Sequence, residues 1–193
     1  MRKEYFILPL LIIVLNSCDL LSTREPEEPK SAGSNFITPT TPDLLFQNLK
    51  SSVEEKILEN YLACFVDSTF LNKRYTFISS GSSTVLYPIL SSWGISSERQ
   101  YFNNLIVKIQ SGSSISLKYS NVVNTPLGGD SAVYSFDYTL TVNSSNTSIA
   151  GEYQGSSRFK IFLDSRNQWA IGEWQDSKKD SFACWSDLKG RTY

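Results

Sequence analysis

Histidine is absent from all 193 residues. The side chain that most readily moves protons near neutral pH is therefore missing, and Ser-His-Asp triads, Cys-His dyads and imidazole metal sites are excluded. Acid–base chemistry is left to carboxylates and tyrosines. The acids within range of the apolar elements are Asp67, Asp137, Glu152 and Glu173, and of these only Glu173 shares an alternating face with Trp169 and Ile171. A glutamate turned into an apolar interior has a raised pKa and can act as a general base, which makes Glu173 the candidate catalytic residue. A local bulge would instead turn Trp174 inward and Glu173 outward. Tyr134, Tyr138 and Tyr153 can donate hydroxyls to a pocket or simply pack, and Trp169 completes the pocket candidates. Cys64 and Cys184 can join in an oxidising compartment, which would stabilise the fold by about 4–5 kcal/mol through loop-closure entropy, or remain free thiols. Neither has a histidine to activate it as a nucleophile. No cofactor or metal is expected.

The elements that must position these groups fall into a helical half and a sheet half. Thr41-Pro42-Asp43 is a helix start, with a capping hydroxyl, a proline at the first helical position and an acid in the first turn. Leu45, Leu49, Val53, Ile57, Leu58, Tyr61, Leu62 and Phe65 keep a helical period, read as two consecutive helices or one bent helix over Pro42 to Phe65. Arg74 to Ser79 fits a short strand, and Ser80 to Ser83 reads as a glycine and serine loop. Thr84 to Trp93 is interrupted by Pro88 and takes no definite state. Ser97 with Gln100 has capping-box spacing and predicts a third helix carrying Tyr101, Phe102, Leu105, Ile106 and Ile109, ended by Gly112.

From Ser114 the period changes to two. Ile115, Leu117 and Tyr119 line one face of a first strand, and Ala132 to Val142 give a longer alternating one. Ile149 to Leu163 give a third, through Gly151 and Gly155, and Trp169 opens a fourth. Alternation of this kind means one buried face and one wet face. The fold class is α+β, with N-terminal helices packed on a curved antiparallel sheet of four to five strands. The tail, with Phe182 and Trp185, lies back on the domain or presents a docking surface.

The net charge of −1 and the lack of a clustered basic face exclude a nucleic-acid binder. Arg2 and Lys3 precede an apolar run from Tyr5 to Leu15 that has the length of a signal-peptide core and is too short to span a bilayer. Its end, Leu15-Asn16-Ser17-Cys18, resembles the bacterial lipobox. That resemblance implies removal of residues 1–17, a diacylglyceryl group and a further acyl chain on Cys18, and a lipid-anchored protein of the bacterial envelope, on the outer membrane or the periplasmic face of the inner membrane. Residues 18–41 are rich in Ser, Thr, Pro and Glu and read as a disordered tether with a mean reach of about 25 Å. Residues 42–193 form the domain and its tail.

The helical opening PDLLFQNLKSSVEEKILENYLACFVDSTF, the third helix, the strand meander and the closing WAIGEWQDS resemble the nuclear transport factor 2-like superfamily. This is the cystatin-like cone that also includes ketosteroid isomerase, scytalone dehydratase and polyketide cyclases. The resemblance implies acids and tyrosines facing a pocket inside a cone, with Asp67 near its mouth. Two readings follow. The first is a non-catalytic module that binds a small apolar ligand or an envelope protein. The second is an enzyme of the isomerase, dehydratase or cyclase kind with Glu173 as base. Homodimerisation across the open sheet face is a further expectation.

Overall fold

The computed structural model describes residues 35–109, 112–179 and 181–193. The expected signal peptide, Cys18 and most of the tether lie outside the described residues. Helix α1 spans Pro42–Glu55, with the Thr41 side chain accepting from the Leu44 N–H. It ends at Lys56, whose left-handed backbone (φ 60°) separates it from α2, Leu58–Ala63. The helical run is thus two helices, and their break lets both apolar faces turn inward. Strand β1 is Thr76–Ile78. Helix α3, Gly81–Leu86, and a 3-10 turn, Pro88–Ser91, follow where a loop and an undefined stretch were expected. Pro88 opens the turn, where its missing N–H costs nothing. Helix α4 spans Ile95–Lys108 and starts before the predicted Ser97 cap, with Gly94 at its N-cap.

The remaining elements are β2 (Ser114–Gly128), β3 (Ser131–Asn143), β4 (Gly151–Leu163), β5 (Trp169–Lys178) and α5 (Trp185–Thr192). The sheet order is β1-β5-β4-β3-β2. The meander from β2 to β5 is antiparallel as expected, while β1 adds in parallel to β5 and makes the sheet mixed. Inward residues of β3 alternate without a fault, from Ala132 to Val142. Phe46 of α1 stacks on Tyr134 and meets Phe136 and Phe159, so the helical layer is keyed to the sheet by aromatic rings.

Two features depart from simple alternation. The β4–β5 register shifts between Lys160, opposite Glu173, and Ile161, opposite Ile171, leaving Gly172 as the extra residue of a bulge. Residues 35–41 also belong to the folded unit, contrary to their assignment to the tether. Asn48, buried in α1, accepts from the Ile37 N–H (2.9 Å) and donates to its carbonyl (2.5 Å), and the Trp169 N–H reaches the Pro39 carbonyl at 2.8 Å. The compact unit is Asn35–Tyr193, and the whole described core lies within it.

Candidate functional site

Glu98 stands on the apolar face of α4, one turn before Tyr101 and Phe102, and it is fully buried. A carboxylate there must be matched by donors or it would be prohibitively costly. Four side chains supply them. Tyr61 of α2 donates to one oxygen; Tyr75 (3.1 Å) and Trp93 Nε1 (2.6 Å) donate to the other. Lys189 Nζ reaches both, at 2.6 and 2.7 Å.

Lys189 arrives on helix α5. Helix α5 buries Trp185, Leu188, Lys189 and Thr192, a spacing of three, four and seven that makes one face. Its ammonium lies 3.8 Å from the Phe77 ring centroid and 3.9 Å from that of Trp174, with Trp93 and Tyr101 farther out. Aromatic faces attract a cation, so the box offers both a counter-ion and four rings. Burial nonetheless pulls the Lys189 pKa down to about 8 against the opposing pull of Glu98.

Helix α5 is seated by further buried polar contacts. Asp176 accepts from Tyr138 (2.8 Å) and from Ser186 through its N–H and hydroxyl (2.8 and 2.5 Å). Burial raises the Asp176 pKa. The Trp185 N–H donates to the Tyr138 oxygen at 2.7 Å and its indole to Tyr101 at 2.9 Å. Asp187 accepts from the Cys184 N–H and from Ser83, which closes the helix start. The tail therefore fills the interior of the cone with its own side chains.

An open cleft of about 830 Å³ lies beside this box. Leu62, Phe65, Val66 and Ile95 form apolar walls, Tyr75 reaches from the cleft to Glu98, and Asp67, Lys73, Arg74 and Arg99 are the charged groups around it. Asp67 accepts from the Thr69 N–H, which lowers its pKa.

The residues singled out from sequence are scattered by the fold. Glu173 is not an interior base: the bulge at Gly172 turns Trp174 into the core, and Glu173 stands on the outer face, paired with Lys160 at 2.9 Å. Asp137 also faces outward, held by Ser156 and Asn121, and Glu152 is exposed beside Gln154. Tyr134 donates to Asp43 (2.9 Å) and Tyr153 to the Ile149 carbonyl (2.8 Å); Tyr138 bonds the start of α5 through the Trp185 N–H, and Tyr153 accepts from Arg191 near its end at 3.5 Å. Trp169 is half-buried at the start of β5. Cys64 and Cys184 are both free and buried in different surroundings, Cys64 against the Asn60 carbonyl and Cys184 against Ser83. Among the described residues no three acids or cysteines are grouped to hold a metal.

Glu98 and Lys189 were missed, although each sits at an apolar position of its helix's own period. That is the signal by which they could have been found.

No protein-family model and no curated protein matches the chain. Solved structures do. A nuclear transport factor 2-like superfamily protein from Salmonella enterica aligns with 71% of this chain and 87% of its own, at 14% identity and a TM-score of 0.53. The beta subunit of benzoate 1,2-dioxygenase from Burkholderia mallei aligns with 72% and 88%, at 14% identity and 0.53. A protein of the same fold family from Streptomyces avermitilis, provisionally assigned as a dehydratase, aligns with 71% and 92%, at 10% identity and 0.54. Likeness at these identities establishes the fold: the chain has the cone-shaped, nuclear transport factor 2-like architecture.

Proposed function

We propose that this chain is a lipid-anchored protein of the bacterial envelope whose cone-shaped domain is a non-catalytic binding module for a small apolar ligand or a protein partner. The observation that carries the non-catalytic part is the Glu98–Lys189 pair. A general base needs a free lone pair facing substrate, and Glu98 has its oxygens occupied by two tyrosines, an indole and an ammonium in a closed interior. Binding then falls to the open cleft, which combines the apolar side chains of Leu62, Phe65, Val66 and Ile95 with the charged groups of Asp67, Lys73, Arg74 and Arg99. The anchoring part is supported by the order of basic start, apolar core and lipobox ending at Cys18.

The test is mass spectrometry of full-length protein extracted from its own membranes. An acylated Cys18 at the mature N-terminus and a small molecule retained under native conditions are expected; an unmodified soluble chain overturns the anchoring. The second reading, an isomerase, dehydratase or cyclase, is favoured by one observation, a carboxylate with two tyrosines inside the cone. In that reading Glu98 takes the part expected of Glu173. Turnover of a carbonyl substrate that is lost in Glu98→Gln would replace the binding reading with this one.

A further inference from the structure

From Tyr75 to Ser97 the chain carries no charged residue. Within it Val85 is 81% exposed and Leu86 66%, and Ile78, Ile89 and Ile95 are each exposed by 40% or more. These side chains belong to neighbouring pieces of backbone. The Phe77 N–H donates to the Trp93 carbonyl at 3.1 Å, and β1 touches the 3-10 turn that carries Ile89. β1 is also an outermost strand of the sheet. Isolated exposed apolar residues are ordinary, but adjacent ones on a short helix and turn mark a contact surface.

Cations flank the uncharged stretch in sequence. Lys73 and Arg74 precede it and Arg99 follows it, and all three line the open cleft together with Ile95. Arg99 is shared with the exposed Glu59, and Lys73 lies over the Phe162 ring. Arg74 is exposed and has no ion pair among the described residues. The one acid following the stretch directly, Glu98, is turned into the core. Protruding aliphatic tips, uncharged serines between them and neighbouring cations match the layering of a bilayer surface: acyl boundary, headgroup, anionic phosphate.

The N-terminal chain allows such a contact. Asn35 stands 17 residues after Cys18, a span of at most about 60 Å when fully extended, against a domain diameter of roughly 40 Å. A domain anchored at Cys18 can thus present any of its faces to the membrane. We propose that the end of the domain formed by β1, α3, the 3-10 turn and the start of α4 docks on an anionic bilayer, inserting Val85, Leu86 and Ile89 with Arg74 and Arg99 against phosphate. This rests on the lipid-anchored reading, since only an anchored domain holds the patch within reach of a surface at all times.

The test uses residues 18–193 with Cys18→Ser, which keeps the tether and removes the acylation site. It is sedimented with vesicles of phosphatidylcholine alone and with about 30% phosphatidylglycerol, the anionic headgroup the cations require. Binding to the anionic vesicles is expected to fall at least about tenfold with Val85→Glu/Leu86→Glu, and to weaken with Arg74→Glu/Arg99→Glu and with added salt. Unchanged thermal melts establish that the variants fold. Failure of the parent chain to sediment with either vesicle overturns the proposal, as does a Val85→Glu/Leu86→Glu variant that binds like its parent. The anchor is judged separately: acylated Cys18 without vesicle binding leaves the anchored reading standing and removes only the docking face.

Discussion

A lysine and a glutamate fully withdrawn from water inside an aromatic box make two distinct demands on stability. Breaking the pair from one side leaves a buried charge, so Lys189→Ala is expected to lower unfolding free energy by about 3–5 kcal/mol. Lys189→Met with Glu98→Gln removes both charges and keeps the volume, and is expected to stay within roughly 2 kcal/mol of the parent. Urea unfolding of the two variants separates these outcomes. The pH dependence follows from the same burial. Lys189 has its pKa lowered to about 8 in the fold, against about 10.4 in an unfolded chain. Between those values the unfolded state binds more protons, so this group makes stability rise with pH. Above about 10 the slope reverses. Burial, and then the Glu98 charge, raise the pKa values of Tyr61, Tyr75 and Tyr101, and the unfolded tyrosines lose their protons first. Urea midpoints from pH 7 to 11 are expected to show the rise and the fall, with the rise absent in the double variant. Glu173→Gln, by contrast, breaks a partly exposed pair on the outer face and is expected to cost less than about 1 kcal/mol.

At the scale of elements, α5 and its seat decide the character of the cone. A helix of eight residues has little intrinsic stability; here it is held by Tyr138, Asp176 and Asp187. Tyr138→Phe leaves the Trp185 N–H and one Asp176 oxygen without this partner, and is expected to cost about 1–3 kcal/mol in urea unfolding. Gly155 shows why a strand glycine was legible and its reason was not. The alternating pattern runs through Gly155 without giving it a role. The structure gives a close approach: a Cβ at Gly155 would lie 2.5 Å from the Ser177 carbonyl oxygen and 2.6 Å from the Tyr138 hydroxyl. Gly155→Ala is therefore expected to destabilise by roughly 1–3 kcal/mol, through displacement of the same tyrosine that seats α5. Where local signals were strong, as at Thr41-Pro42 and along β3, the elements fall where the pattern put them. Where serines and glycines gave no period, as at Ser80 to Leu86, tertiary contact supplied the helix, through Ser83 bonded to Asp187.

For the whole molecule, residues 35–193 contain one continuous core, so a single cooperative unfolding transition is expected. The buried free thiols make a companion prediction. In this segment neither Cys64 nor Cys184 is expected to react with a thiol reagent in the native state, and both react on unfolding. Reductant is expected to leave the melting temperature unchanged; a downward shift of several degrees would reveal a disulfide.

The alternation of a half-wet sheet, the amphipathic helices over it and the absence of imidazole chemistry are legible along the chain, because each is written in residue type and period. Which acids are buried depends on packing between elements distant in the chain. One extra residue at Gly172 reverses which side chains of β5 face inward, and so exchanges Glu173 for Trp174. No local pattern specifies that a short C-terminal helix returns to place Lys189 on Glu98, since that pairing depends on contacts between residues 91 positions apart.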